Sequence, residues 1–258
     1  MQTPIKIADK DFKSVSAIKS LIPAGSMVHT FLMYNGGIEV PLASDGRHVI
    51  AHTNKYAIYE FWTCLSLNTE QVKRTATHFD NIQDKNIFYL LQETLPNYAD
   101  PYLRSGIFFL LNKYSQSGYV SSGEFMPDSY NPRALLQLDK LPFQNLMVVY
   151  NKGDDFVKSM ENITRRCDYV VVPVGDFSLN YLKNKEQEMT NLPYDRAFVD
   201  AHRMKEYIEN TDRKVMYVFR FSESVLKFFK GQKFYFVDRW GRQIQSKENA
   251  AEVLIANF

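Results

Sequence analysis

Short apolar stretches rich in Val, Ile, Phe and Tyr punctuate the chain, at Met27–Met33, His48–His52, Leu146–Tyr150, Asp168–Val174, Lys214–Phe219, Lys233–Val237 and Glu252–Asn257. Segments of this length and composition read as strands. Several are continuous rather than alternating, most plainly Asp168–Val174 (DYVVVPV). A strand is apolar at nearly every position when both of its faces are covered, as in a parallel sheet between two layers of helices. Helical spacing fills the gaps at Ser14–Ile22, Asn54–Leu67, Asp155–Arg166, Phe198–Asn210 and Ser222–Lys230. The alternation predicts a doubly wound α/β fold around one seven-stranded sheet, with helices on both faces. The polar turn Asp238–Arg242 joins the last two strands and predicts a closing antiparallel hairpin.

Residues 68–143 break the alternation. Amphipathic spacing runs through Val72–Thr94 and Tyr102–Lys113, and a Ser/Gly-rich loop follows at residues 115–132. The chain therefore divides into an α/β domain, residues 1–67 and 144–258, and an inserted, mainly helical lobe, residues 68–143. Asp100-Pro101-Tyr102 reads as an N-capping Asp followed by Pro in the first helical turn.

Composition changes this picture little. A net charge of +2 supplies no global field toward nucleic acid or away from it. Cys64 and Cys167 lie far apart, without CxxC or Cys/His clustering, and predict reduced thiols and no metal site. The five histidines are scattered outside any HExxH pattern, so each reads singly as a surface or satisfied core residue. No apolar leader opens the chain and no run is long enough to span a bilayer, which predicts a cytoplasmic protein without a membrane partner.

Four segments carry candidate chemistry. In Gly106–Asn131 an aromatic helix ends in Asn112-Lys113, and Gly118-Tyr119, Gly123-Glu124-Phe125 and Pro127 follow in a polar loop. A helix-to-hairpin connection accounts for that composition. The order also resembles the target-recognition region of the Dam-type DNA adenine methyltransferases, with Val120 where that family has Arg. Phe31–Gly37 resembles the family's strand and F-x-GGG turn, with Ile38 in place of the third glycine; a plain tight turn uses a Gly-Gly pair equally well. His52-Thr53-Asn54-Lys55 resembles its ribose-binding segment, with Asn54 where a carboxylate is usual, though a helix N-cap also explains Asn54. Val172-Pro173-Val174-Gly175 stands where the family has DPPY. Gly153-Asp154-Asp155-Phe156, resembling the family's GDF, and the terminal Glu252–Phe258 also match in order, so the resemblance covers about Ser20 to Phe258.

That resemblance implies a Rossmann-like methyltransferase sheet. It further implies an S-adenosylmethionine site at Lys10, Tyr34, Gly36, Gly37 and Asn54, and DNA contacts from Asn112, Lys113, Tyr119, Asn131 and Arg133. Pro173 marks the degenerate catalytic position. Asn191-Leu192-Pro193-Tyr194 resembles the catalytic motif but follows a charged loop rather than a strand. Three functions stand open: an inactive relative kept for binding DNA or a protein, an active S-adenosylmethionine-dependent enzyme with diverged motifs, and a structural component of a larger assembly.

Overall fold

The computed structural model describes residues 3–7, 11–79, 82, 84–152, 155–177 and 199–258. Its strands are β1 (Met27–Thr30), β2 (His48–Thr53), β3 (Leu146–Tyr150), β4 (Tyr169–Gly175), β5 (Lys214–Arg220), β6 (Lys233–Asp238), β7 (Gln243–Ile244) and β8 (Ala250–Ala256). They form one sheet in the order β3-β2-β1-β4-β5-β8-β6-β7. The first five are parallel, and β8 runs antiparallel between β5 and β6. Order 3-2-1-4-5 is that of the Rossmann-like doubly wound sheet, with its crevice where the order reverses between β1 and β4. The expected seven strands are present, and β7 is an eighth. At two residues it is too short to leave an apolar pattern. It pairs with β6 as a hairpin, while β8 returns along the other edge of β6.

Alternate side chains feed two cores, which is why the strand sequences are continuously apolar. Val28, Val171, Met216, Val218 and Leu254 point to one face, and Val170, Val172, Val215, Tyr217 and Val253 to the other. On the first face lie α1 (Val15–Leu21), α2 (Glu39–Ser44), α3 (Tyr56–His78) and α5 (Pro101–Tyr114). The second carries α7 (Phe156–Glu161), α8 (Ala201–Asn210) and α9 (Glu223–Phe228). The inserted region adds α4 (Lys85–Thr94) and the single turn α6 (Leu135–Leu138).

The boundary expected at residue 68 falls inside a helix. α3 runs 23 residues, and only Asn68 leaves helical geometry (φ −157°, ψ 81°). The Asn68 carboxamide oxygen accepts the Gln71 N–H at 3.1 Å and recaps the helix beyond the break. Phe88, Phe108, Phe109 and Leu111 belong to the same core as the sheet's first face, so residues 68–143 and the sheet share one apolar core. Asp100 caps α5 as the sequence predicts, accepting the Tyr102 N–H at 2.9 Å ahead of Pro101. α7 is half the predicted length. Asn162 ends it by bonding back to the Lys158 carbonyl at 2.8 Å, and β-branched Ile163-Thr164 follows. Among the described residues, this short helix leaves part of the second face thinly covered.

Candidate functional site

Strands β1, β4 and β5 end on the same edge of the sheet, and the amino-terminal segment is fastened there. Glu252, at the start of β8, accepts the N–H groups of Lys13 and Ser14 at 2.8 and 2.9 Å. Farther along, Asn112 in α5 is fully buried. Its Oδ1 accepts Lys6 N–H at 2.9 Å, and its Nδ2 donates to Lys6 O at 2.7 Å and Gly118 O at 2.6 Å. Gly118 (φ 81°) is required for that approach, because a Cβ there would stand 2.1 Å from the Lys6 carbonyl oxygen. Asn112 thus pins the chain's beginning to the recognition-like loop.

Between these pieces opens a cavity of about 690 Å³. Its walls come from the amino-terminal segment (Lys6, Phe12, Lys19), the turn after β1 (Asn35, Gly37) and the inserted lobe (Lys113, Ser129, Asn131, Arg133). The cavity is basic. Asp11 on its rim pairs with Lys13, and Lys19 pairs with Asp45 at 3.7 Å. Among the described residues no carboxylate pairs with Lys6, Lys113 or Arg133. Burial lowers the Lys6 pKa. Burial, and then repulsion from Lys6, pushes Lys113 down to about 8. The Lys113 ammonium rests 5.5 Å from the centre of the Phe109 ring, a weak cation–π contact that does not replace a counter-ion. Asn131 holds the loop's shape by accepting Arg133 N–H at 3.0 Å in the turn Pro132–Ala134.

Four of the residues suggested by sequence therefore meet here: Gly37, Lys113, Asn131 and Arg133. Others lie elsewhere. Tyr119 packs partly buried against the first core, and Asn112 has its side-chain polar atoms committed internally. Lys10 and Asn191–Tyr194 lie outside the described residues. Lys6 was missed, because its place depends on a contact 106 residues away in sequence.

Of the residues that the resemblance assigns to S-adenosylmethionine, Gly37 lines the cavity, Lys10 lies outside the described residues, and Gly36 is closed on its Cβ side. Gly36 has φ 76°, and a Cβ on it would stand 2.8 and 2.9 Å from two ring carbons of fully buried Trp62. Trp62 also donates to the Tyr34 carbonyl at 3.3 Å. On its Cβ side, Gly36 therefore packs directly on the indole. Tyr34, Ile38 and Glu39 are buried with it. Gly36→Ala is expected to cost about 2 kcal/mol, from positive φ and displaced Trp62, measurable by urea unfolding. Asn54 does not cap α3; Lys55 occupies the cap position, and its N–H is taken by Thr53 Oγ1 at 3.2 Å.

Pro173 sits inside β4, all seven residues of which are buried. The register against β5 shifts between Pro173 and Gly175 (φ 89°), so the residue without an N–H stands beside a bulge. The strand thus continues where a catalytic loop would leave it. Asp176, just beyond, faces Arg220 at 3.6 Å, and Phe177 packs on Phe219, Phe228 and Phe229.

No family model matches the chain, and no curated protein matches it in sequence. Solved structures with a similar chain course include a TehB-like SAM-dependent methyltransferase from Corynebacterium glutamicum, at 10% identity over 95% of this chain and 86% of that one, with a TM-score of 0.38. The glycopeptide N-methyltransferase MtfA in complex with S-adenosyl-L-methionine matches at 8% identity, 96% and 93% coverage and a TM-score of 0.37. A precorrin-6y C5,15-methyltransferase from Geobacter metallireducens matches at 8% identity, 98% and 93% coverage and 0.36. Likeness at this level says nothing about chemistry.

Proposed function

We propose that this chain is a methyltransferase-like protein that no longer transfers a methyl group and uses the basic cavity to hold the phosphate backbone of DNA. One observation carries the reading: Lys113, half-buried beside Lys6, without a paired carboxylate among the described residues. Burying a cation is costly unless an anion accompanies it. A phosphate entering between Lys6, Lys113 and Arg133 repays that cost through charge-assisted hydrogen bonds. The loss of methyl transfer is supported by Trp62 behind Gly36 and by the bulged strand at Pro173.

Fluorescence anisotropy of a labelled duplex, read across a salt series, tests the binding. Three phosphate contacts give a slope of log K against log salt of about −3. Lys6→Ala and Arg133→Ala should each weaken binding and flatten that slope by about one. If no duplex is retained even at low salt, the DNA reading is lost and the structural-component reading replaces it.

One observation favours a second reading, in which the cofactor still binds. The Asn54 amide nitrogen is buried without a hydrogen-bond partner at the end of β2, and a ribose hydroxyl would supply an acceptor. Calorimetric titration with S-adenosylmethionine decides between the two. The first reading expects no heat of binding, and saturable heat would reinstate the cofactor.

A further inference from the structure

The hairpin from β6 to β7 presents an exposed tryptophan flanked by two arginines. Asp238, buried at the end of β6, fixes the turn: one carboxylate oxygen accepts the N–H groups of Trp240 and Arg242, both at 2.9 Å. Its own N–H donates to the Arg242 carbonyl at 2.9 Å. Gly241 (φ 82°) completes the turn, and a Cβ there would stand 2.5 Å from the Lys13 carbonyl oxygen. The hairpin is thus seated on the amino-terminal segment. Glu252 holds that segment by the Lys13 N–H, and the neighbouring Asp11 and Phe12 line the basic cavity. β5 and β6 both run antiparallel to β8, so β6 ends on the same edge of the sheet as β1, β4 and β5.

Trp240 is 62% exposed, whereas Trp62, the chain's other tryptophan, is fully buried. The guanidinium carbons of Arg239 and Arg242 lie 4.1 and 5.4 Å from the centre of the Trp240 ring. These cation–π contacts steady the ring and leave most of it in water. Neither guanidinium pairs with a carboxylate among the described residues. Ring and cations together offer what an unpaired nucleotide requires, a π-face for its base and positive charge for its phosphates. Within a duplex the base faces are covered by their neighbours, so an exposed indole selects a nucleotide that has left the stack.

We infer that Trp240 stacks on an unpaired base, with Arg239 and Arg242 on the flanking phosphates, so that the favoured ligand is a duplex running out into a single strand. The inference rests on the DNA-binding reading, because the basic cavity supplies the contacts to the duplex. An anionic membrane surface would meet the same three side chains. The seat of the hairpin beside the basic cavity, on the same edge of the sheet, favours nucleic acid.

Fluorescence anisotropy of the full chain with a blunt duplex, and with that duplex carrying a 5′ or a 3′ overhang of about six nucleotides, tests it. One of the overhangs should bind about tenfold more tightly than the blunt duplex and quench the emission of Trp240, while buried Trp62 stays unquenched. Trp240→Ala, on an exposed turn, should abolish that advantage and leave blunt-duplex affinity unchanged, and Trp240→Tyr should keep most of it. Arg239→Ala and Arg242→Ala should each flatten the salt slope of the overhang duplex by about 0.7, which Trp240→Ala, removing no charge, leaves unaltered. Equal affinity for the blunt and both overhang duplexes overturns the inference and leaves the DNA-binding reading standing. An overhang advantage that survives in Trp240→Ala does the same. If no DNA is retained even at low salt, both fall. Trp240 emission that shifts with phosphatidylserine vesicles, and with neither overhang, assigns the hairpin to a membrane surface and also overturns the inference.

Discussion

Replacing Lys113 with methionine should stabilise the fold and at the same time weaken the DNA binding proposed for the basic cavity. The Lys113 ammonium is held down to about pKa 8, first by burial and then by Lys6. A lysine whose folded pKa falls below its unfolded value of 10.5 weakens the fold wherever both states are protonated. That penalty is complete below about pH 8 and fades as pH rises to 10.5. The shift corresponds to about 3 kcal/mol, which solvent access to the half-buried side chain reduces to about 2 kcal/mol. Methionine keeps the length and apolar stem and leaves out the charge. Urea unfolding at pH 7 should therefore show a gain of about 2 kcal/mol, while duplex affinity falls tenfold or more and the salt slope flattens by about one. A purely structural Lys113 would give the reverse, with lost stability and unchanged binding. The wild-type protein should also release DNA more readily above pH 8, as the ammonium loses its proton.

Much of the sheet was legible in the sequence because parallel strands covered on both faces must be apolar throughout. Tyr169–Gly175 is the clearest instance, buried at every position and predicted as a strand to within a residue at either end. Helix ends were less legible. α7 stops at Glu161 because Asn162 folds back on it, a local competition that apolar spacing does not register. α2 was missed because its six residues make fewer than two turns, too short for apolar spacing to register. The cavity was half legible. Lys113, Asn131 and Arg133 lie close in sequence and share one loop, whereas Lys6 joins them only through the Asn112 pin. Gly36 shows what a motif leaves out. A glycine pair after a strand signals close approach, and at Gly36 one approaching group is Trp62, 26 positions downstream, which no local pattern announces. His29 and His52 looked unrelated because their meeting depends on strand register: His29 stands opposite Ile50, which places His52 two residues on and on the same face.

That histidine pair governs the response to acid. Burial, followed by repulsion from His29, pushes His52 down to about 4 from the ordinary 6.5, and burial also lowers His29. Arg165 adds to the depression of both, and the Asn151 carboxamide oxygen, 3.4 Å from His52 Nδ1, opposes it by accepting from the protonated ring. The unfolded chain then binds a proton at His52 between pH 6.5 and about 4 that the folded chain refuses. Stability contributed by the neutral ring is complete above pH 6.5 and is lost as pH falls toward 4. The loss at His52 alone is about 3 kcal/mol, and His29 adds to it. The hydrogen bond between the two rings explains why the folded state yields so little. Once both rings are protonated, two N–H groups face each other across the 3.0 Å between Nδ1 and Nε2, so one bond must break. Unfolding free energies measured from pH 7.5 to 4 should fall with a slope approaching 1.4 kcal/mol per pH unit for this proton. His52→Gln removes the titrating ring and should flatten the profile by that amount, although it lowers stability at pH 7.5. An equal slope in wild type and variant would show that the pair is exposed to solvent rather than locked under α7.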